Sequence, residues 1–147
     1  MGLEKIKSNI NSLIEYWKKQ NIEINTKPNE SVISLPNDFI ELYSKVNGME
    51  ILYPNEMDNE GFLFYPIQGV ISTKIEFKKH YLGTLDNVFI FADYMHKSWW
   101  YGVKVEDMNN YIIGIIPDGE TFKPITKSLS NFIELYLNDS SELYDYE

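Results

Sequence analysis

Three apolar segments joined by short polar turns constrain the fold of this chain more than any other feature. They cover Val88 to Ala92, Trp99 to Val105 and Tyr111 to Ile116. Short runs rich in β-branched and aromatic residues, bounded by turn residues, are typical of strands. Because short turns reverse the direction of the chain, we expect the three strands to pair antiparallel.

Helical patterns flank these strands near both ends of the chain. In residues 3–19, apolar side chains recur at three- and four-residue spacing and charged side chains cover the other face. A last helix is expected from about Leu129 to Asn138, where Ser128 or Ser130 can cap the first turn. The residues after it, 139–147, form an acidic tail that we expect to fray.

A short, well-punctuated helix is expected after residue 35. Pro36 suits its first helical position because the φ angle of proline is already helical. Asn47-Gly48 suits its end because both residues tolerate positive φ. Its apolar side chains fall on one stripe, which we expect to face the core: Phe39, Leu42, Tyr43 and Val46.

The remaining segments are shorter or less distinct. Strands are expected at Met49–Tyr53 and Phe62–Ile67, and a short edge strand carrying Pro124 is expected in residues 120–125. Residues 70–80 stay open between helix and strand, although the charged run from Lys74 to His80 favours a helix. Short turns between strands and helices bunched at the ends predict a single α+β domain over residues 1–147, with a mainly antiparallel sheet.

Composition excludes several classes of function. The chain has 147 residues, a formal net charge of −9 and no cysteine, which excludes disulfides and thiolate metal sites. All 13 basic residues are lysines, so a phosphate-neutralising nucleic-acid surface is disfavoured. No apolar run approaches the length of a membrane span and no signal peptide precedes the first helix, so we expect a cytoplasmic protein.

Three blocks of the sequence resemble the SMI1/KNR4 (SUKH) superfamily. The first runs from Leu35-Pro36 to Asn47-Gly48, the second from Val88 to Val105, and the third from Ser128 to Leu137, within a core of about residues 33–138. The resemblance implies a sheet with helices packed over one face. It also implies an immunity protein that binds and neutralises a cognate toxin domain of a bacterial polymorphic toxin system, such toxins often being nucleases with basic surfaces.

A non-enzymatic binding role agrees with the motifs that the sequence lacks. It has no Gly-x-Ser-x-Gly, His-Glu-x-x-His, P-loop or dinucleotide-binding pattern, so neither a cofactor nor a metal site is expected. The alternative is a regulatory or scaffold protein of the same fold. A small hydrolase built around Asp93 and His96 is the third hypothesis.

The predicted partner-binding residues combine aromatic anchors with acidic loops. We expect the sheet face that the helices leave open, together with adjoining acidic loops, to cover the active site of a toxin with a basic surface. The protein itself is expected to be a monomer or a weak homodimer. The expected contact residues are Trp99, Trp100 and Tyr101 as anchors, with Glu56, Asp58, Glu60, Asp93, Glu106 and Asp107 as the charge complement.

Overall fold

A computed structural model describes residues 2–19, 35–46, 62–65, 70–76, 87–94, 99–118 and 121–144. Its elements are, in chain order, α1 (Gly2–Lys19), α2 (Asn37–Lys45), β1 (Phe62–Phe64), β2 (Ile71–Ser72), α3 (Thr73–Glu76), β3 (Val88–Tyr94), β4 (Trp99–Val105), β5 (Tyr111–Ile116), β6 (Lys123–Thr126), α4 (Leu129–Leu137) and a 3-10 helix (Ser141–Tyr144). None of the helices within these ranges is long and apolar enough to cross a membrane.

The six strands form one antiparallel sheet. Strands β3, β4, β5 and β6 follow one another as hairpins, while β1 and β2 both pair with the other edge of β3. Strand β1 pairs with the end of β3 and β2 with its beginning, so the two short strands lie one after the other along that edge. The predicted α+β class and the antiparallel pairing are confirmed.

A bulge in β3 directs one aromatic residue into the core. Ile90 lies opposite Gly102 and Ala92 lies opposite Tyr101, which leaves Phe91 as the extra residue. The Phe91 ring packs edge-on against Phe39 of α2, with ring centroids 5.1 Å apart. The bulge therefore adds a side chain to the face of the sheet that the helices cover.

Helices α1, α2 and α4 pack on the same face of the sheet, as expected. The ring of Trp17 in α1 lies 5.2 Å from that of Phe64, and Phe132 in α4 lies 5.6 Å from Tyr101. The indole N–H of Trp17 donates a 2.9 Å hydrogen bond to the hydroxyl of Tyr136, which joins α1 to α4. Buried aromatic pairs of this kind contribute packing energy beyond the area that they bury.

The opposite face of the sheet is not open at its centre, contrary to expectation. Val88, Ile90 and Ile116 are buried although alternation places them away from α4. Gly102 makes room among them, because a methyl group at its position would lie 2.7 Å from Ile116 Cδ1 and 3.0 Å from Val88 Cγ1. The centre of this face is therefore not accessible to a partner.

Helix α2 begins one residue later than predicted. Pro36 is the N-cap, with φ −57° and ψ 154°, and its carbonyl accepts hydrogen bonds from the N–H groups of Phe39 and Ile40. The extended ψ places proline just outside the helix, so the prediction that it occupies the first helical position is wrong. The predicted apolar stripe is buried as expected. The stop at Asn47-Gly48 lies outside the described residues.

Several other segments differ from their predicted bounds. The ambiguous region contains the two-residue strand β2 and the four-residue helix α3, and residues 77–80 lie outside the described part of the chain. The edge strand β6 lies slightly later than expected. Of the strand predicted at Phe62–Ile67, Phe62–Phe64 are strand and Tyr65 is not, and residues 66–67 lie outside the described ranges. The predicted strand at residues 49–53 is also outside the described ranges.

Candidate partner-binding site

Two of the predicted aromatic anchors are engaged within the fold. Tyr101 is fully buried, its hydroxyl donating to the carbonyl of Leu143 (2.5 Å) and accepting from the indole N–H of Trp99 (3.0 Å). Trp99 is half-buried and stacks on Tyr94 at a centroid distance of 4.6 Å. Since a surface anchor must be accessible, the prediction that Tyr101 contacts a partner is wrong for this structure.

The end of the chain covers this aromatic cluster. Leu143 of the 3-10 helix has no exposed surface, and the ring of Tyr144 packs edge-on against Tyr94 at 5.3 Å. The Tyr144 hydroxyl donates a hydrogen bond to Asp139, and burial together with this bond raises the pKa of Tyr144 above its usual range. Residues 139–144 therefore pack against the sheet, contrary to the prediction that the tail frays from residue 139, and residues 145–147 of the predicted tail lie outside the described residues.

Trp100 lies on the opposite face of β4 from Trp99 and Tyr101, as strand alternation predicts. It pairs with Asp93 on one side and Ile116 on the other, and its side chain is half-buried. It keeps some accessible surface, so its role as a contact residue stays a prediction.

Asp93 is a buried residue rather than a surface charge. It is 3% exposed, and its carboxylate accepts a 2.6 Å hydrogen bond from the Tyr65 hydroxyl. Burial, the hydrogen bond and the negative charge of Asp93 together raise the pKa of Tyr65. The Tyr43 hydroxyl in turn donates to the carbonyl of Tyr65 (3.0 Å), so Tyr65, which follows β1, links Asp93 of β3 to α2. His96, its proposed hydrolase partner, lies outside the described residues.

Glu106 and Asp107 are exposed in the β4–β5 turn, where a partner can reach them. The Asp107 carboxylate accepts hydrogen bonds from the N–H groups of Asn109 and Asn110, both at 2.8 Å, and from the side-chain amide of Asn110. These hydrogen bonds lower the pKa of Asp107, and the bond from the Asn110 side chain has the largest effect. Glu56, Asp58 and Glu60, in the other predicted acidic loop, are outside the described residues.

The β4–β5 turn is fastened to the first turn of α2. The N–H of Asn37 donates to the carbonyl of Met108 (2.8 Å), and its side-chain amide donates to Asn109 (2.9 Å). Nearby, the Tyr111 hydroxyl donates to Asp38 (2.5 Å) and accepts from the N–H of Leu129 (2.6 Å). The turn, α2 and the start of α4 therefore form one connected unit.

Two large apolar side chains stay exposed on this unit, and sequence analysis did not single them out. Ile40 of α2 is 51% exposed and Met108 of the turn is 42% exposed. The sequence carries a signal for both residues, because Ile40 falls outside the apolar stripe of its helix and Met108 is an apolar residue within a polar turn. We call these two residues with their acidic neighbours the α2–turn surface: Ile40, Glu41, Glu106, Asp107 and Met108.

The described residues provide surfaces for binding more readily than groups for catalysis. Among them, no cluster of three or more histidine or carboxylate side chains could hold a metal ion. A small cleft of about 110 Å³ lies between β6 and the 3-10 helix, lined by Lys123, Pro124, Ile125 and Glu142. The tyrosines with raised pKa values are all explained by burial, three of them with an added hydrogen bond to a carboxylate.

Comparison with protein families identifies the family of this chain. The family model described as SMI1 / KNR4 family (SUKH-1) matches residues 13–135, which is most of the chain. The match includes α2, all six strands described above, most of α4 and the last part of α1, from Leu13. Comparison with curated proteins found no match, and neither did comparison with solved structures.

Proposed function

The chain belongs to the SMI1/KNR4 family (SUKH-1), and we propose that it is a non-enzymatic immunity protein that binds and neutralises a cognate toxin domain of a bacterial polymorphic toxin system. The observation that supports this proposal is the family match over residues 13–135, because resemblance to this family implies an immunity protein. On this proposal the protein acts by stoichiometric binding and occludes the site through which the toxin acts.

The charge of the protein supports a basic toxin domain as partner. The net charge is −9, and the chain has 22 acidic residues against 13 lysines. A protein with this excess attracts a basic partner at long range, which raises the association rate and makes it depend on ionic strength. Nucleases need basic surfaces to hold phosphates, so a nuclease toxin suits this charge.

The test is a rescue experiment with the toxin domain encoded next to this gene. The domain is expressed in a test host with and without this protein, and the two are then purified together. We expect growth arrest by the domain alone, rescue by co-expression and a stable 1:1 complex on size exclusion.

Two outcomes would contradict the proposal. Rescue without a complex would mean that the protein acts by another route. A neighbouring domain that is neither toxic nor bound would favour the regulatory or scaffold protein of the same fold.

A further inference from the structure

We propose that the α2–turn surface is the site at which this protein docks on its toxin, and that the toxin presents there an apolar side chain within a rim of lysine and arginine. This inference rests on the proposed function, since it assigns the surface through which neutralisation would occur. The argument depends on exposure, geometry, charge and rigidity.

The exposure of Ile40 and Met108 sets this surface apart. Among the described residues, only these two and Ile75 are large hydrophobic side chains classed as exposed. Ile75 lies on the four-residue helix α3, whereas Ile40 and Met108 lie on two elements that hydrogen-bond to each other. Adjacent exposed apolar side chains with a polar rim are typical of the centre of a protein interface.

Helix geometry places Ile40 and its acidic neighbour beside the turn. Side chains three and four residues apart on a helix are neighbours, with Cβ atoms roughly 5–6 Å apart. Ile40 and Glu41 are therefore both adjacent to Asn37, which contacts the turn directly. The two apolar side chains and the three carboxylates thus lie on two elements that are joined at Asn37.

The carboxylates of the α2–turn surface are available to a basic partner. Among the described residues, none of Glu41, Glu106 and Asp107 forms an ion pair. Two described lysines are close to these carboxylates along the chain: Lys45 follows Glu41 by four residues on α2, and Lys104 precedes Glu106 by two residues. Neither lysine forms an ion pair with them in the described part of the chain. An apolar centre surrounded by acidic groups that form no ion pair is complementary to an apolar anchor surrounded by cations.

The α2–turn surface is also rigid before binding. The N–H groups of Glu106 and Asp107 both donate to the carbonyl of Asn110, at 3.0 and 3.1 Å, and Asp107 accepts from Asn109 and Asn110 in return. The turn is then tied to α2 through Asn37. A preformed surface loses little conformational entropy on association, which favours tight binding.

The test measures association and dissociation rates with the purified toxin domain encoded by the adjacent gene. The charge variant is Glu41→Lys with Glu106→Lys, and the apolar variants are Ile40→Ser and Met108→Ser. The matched controls are Glu4→Lys with Glu15→Lys, which changes the net charge equally on exposed positions of α1, and Ile75→Ser. Thermal unfolding of each variant checks that the fold is retained.

We expect the charge variant to slow association at low salt by about tenfold or more, with a smaller effect at high salt. Each apolar variant should speed dissociation by about tenfold, as is usual for a central anchor. The controls should change either rate less than about threefold, within the range of near-neutral interface positions.

The outcomes separate this inference from the proposed function. If the wild-type protein rescues and binds but the surface variants bind as the controls do, the docking site is wrong and the immunity function stands. If the Glu4→Lys with Glu15→Lys control slows association as much as the charge variant does, attraction by net charge alone explains the association rate. The site assignment then fails. If the wild-type protein does not bind, both proposals fail.

Discussion

At Gly114 in β5, even a single methyl group has no room. A Cβ atom there would lie 2.5 Å from the carbonyl oxygen of Lys123 and 2.8 Å from the ring of Phe122, next to the register shift between β5 and β6. At Gly102 the closest atom is the flexible end of Ile116, at 2.7 Å. Backbone atoms yield less easily than the end of a side chain, so the two glycines should differ in their tolerance of alanine.

We therefore expect Gly114→Ala to lower the free energy of unfolding by about 1–3 kcal/mol, the usual cost of overpacking, and Gly102→Ala to lower it by less. Urea denaturation of the wild-type protein and both variants measures the difference. A larger loss for Gly102→Ala would show that the β5–β6 pairing adjusts more readily than the packing around Ile116.

Asp107, in the β4–β5 turn, should make the free energy of unfolding depend on pH in the acid range. Its pKa is lowered in the folded state by the hydrogen bonds from Asn110 and Asn109. The unfolded chain then binds a proton more tightly than the folded one. The stabilisation is therefore complete above the ordinary aspartate pKa of about 4, and it is lost as the pH falls through the lowered value.

The Asp107→Asn variant should lack this dependence. We expect the difference in the free energy of unfolding between the wild-type protein and the variant to be constant at neutral pH and to narrow below about pH 4. Denaturant titrations across the acid range measure it. Glu106→Gln, in the same turn, serves as the control, and parallel curves for Asp107→Asn down to the lowest pH would contradict the prediction.

At the scale of elements, the 3-10 helix Ser141–Tyr144 packs on the sheet and stabilises it. Leu143 is fully buried, its carbonyl accepts from Tyr101, and Tyr144 packs on Tyr94. Leu143 and Tyr144 lie beyond the residues that the family model matches, which end at 135, whereas Tyr94 and Tyr101 lie within them. The segment closes the aromatic cluster at one end of β3 and β4.

Leu143→Ala should cost about 2–5 kcal/mol of unfolding free energy, the range for truncating a buried leucine. Glu142→Ala, at the exposed neighbouring position, should change it by less than about 0.5 kcal/mol. Urea denaturation of both variants provides the comparison. Equal, small effects would mean that the segment does not dock on the sheet in solution.

At the scale of the whole molecule, the fold should resist tyrosine ionisation until it unfolds. Burial raises the pKa values of Tyr43, Tyr65, Tyr111 and Tyr144, and neighbouring carboxylates raise three of them further. The folded protein then holds these protons more tightly than the unfolded chain. Stability is therefore full below the ordinary tyrosine pKa of about 10, and it falls as the pH rises above that value.

Each fully buried tyrosine can contribute a slope of up to about 1.4 kcal/mol per pH unit. We expect the tyrosinate absorbance of these four residues to appear together with the loss of circular dichroism in one alkaline transition. In the Tyr43→Phe variant, the free energy of unfolding should fall less between neutral and alkaline pH than it does in the wild-type protein. Gradual ionisation of all tyrosines near pH 10, with the fold intact, would contradict the prediction.

The sequence predicted the helices and strands better than it predicted which residues of the candidate site are accessible. Glu106 and Asp107 were predicted as exposed turn residues and are exposed. Tyr101 and Asp93 were predicted as contact residues and are buried, because a residue near the end of a strand can be covered by elements distant in sequence. Tyr101 is covered by the 3-10 helix, about forty residues later in the chain. Asp93 accepts a hydrogen bond from Tyr65, which follows β1.

The sequence by itself determined the helices α1 and α4, the strands β3 to β5 and their antiparallel pairing, because repeating apolar patterns and short turns act over neighbouring residues. It also determined the family, since the motif blocks are local. Only the tertiary structure decided the bulge at Phe91, the docking of the chain end and the exposure of Ile40 and Met108. The physical reason is that burial is the sum of contacts from remote segments, and no local pattern specifies which apolar side chain the assembled elements leave uncovered.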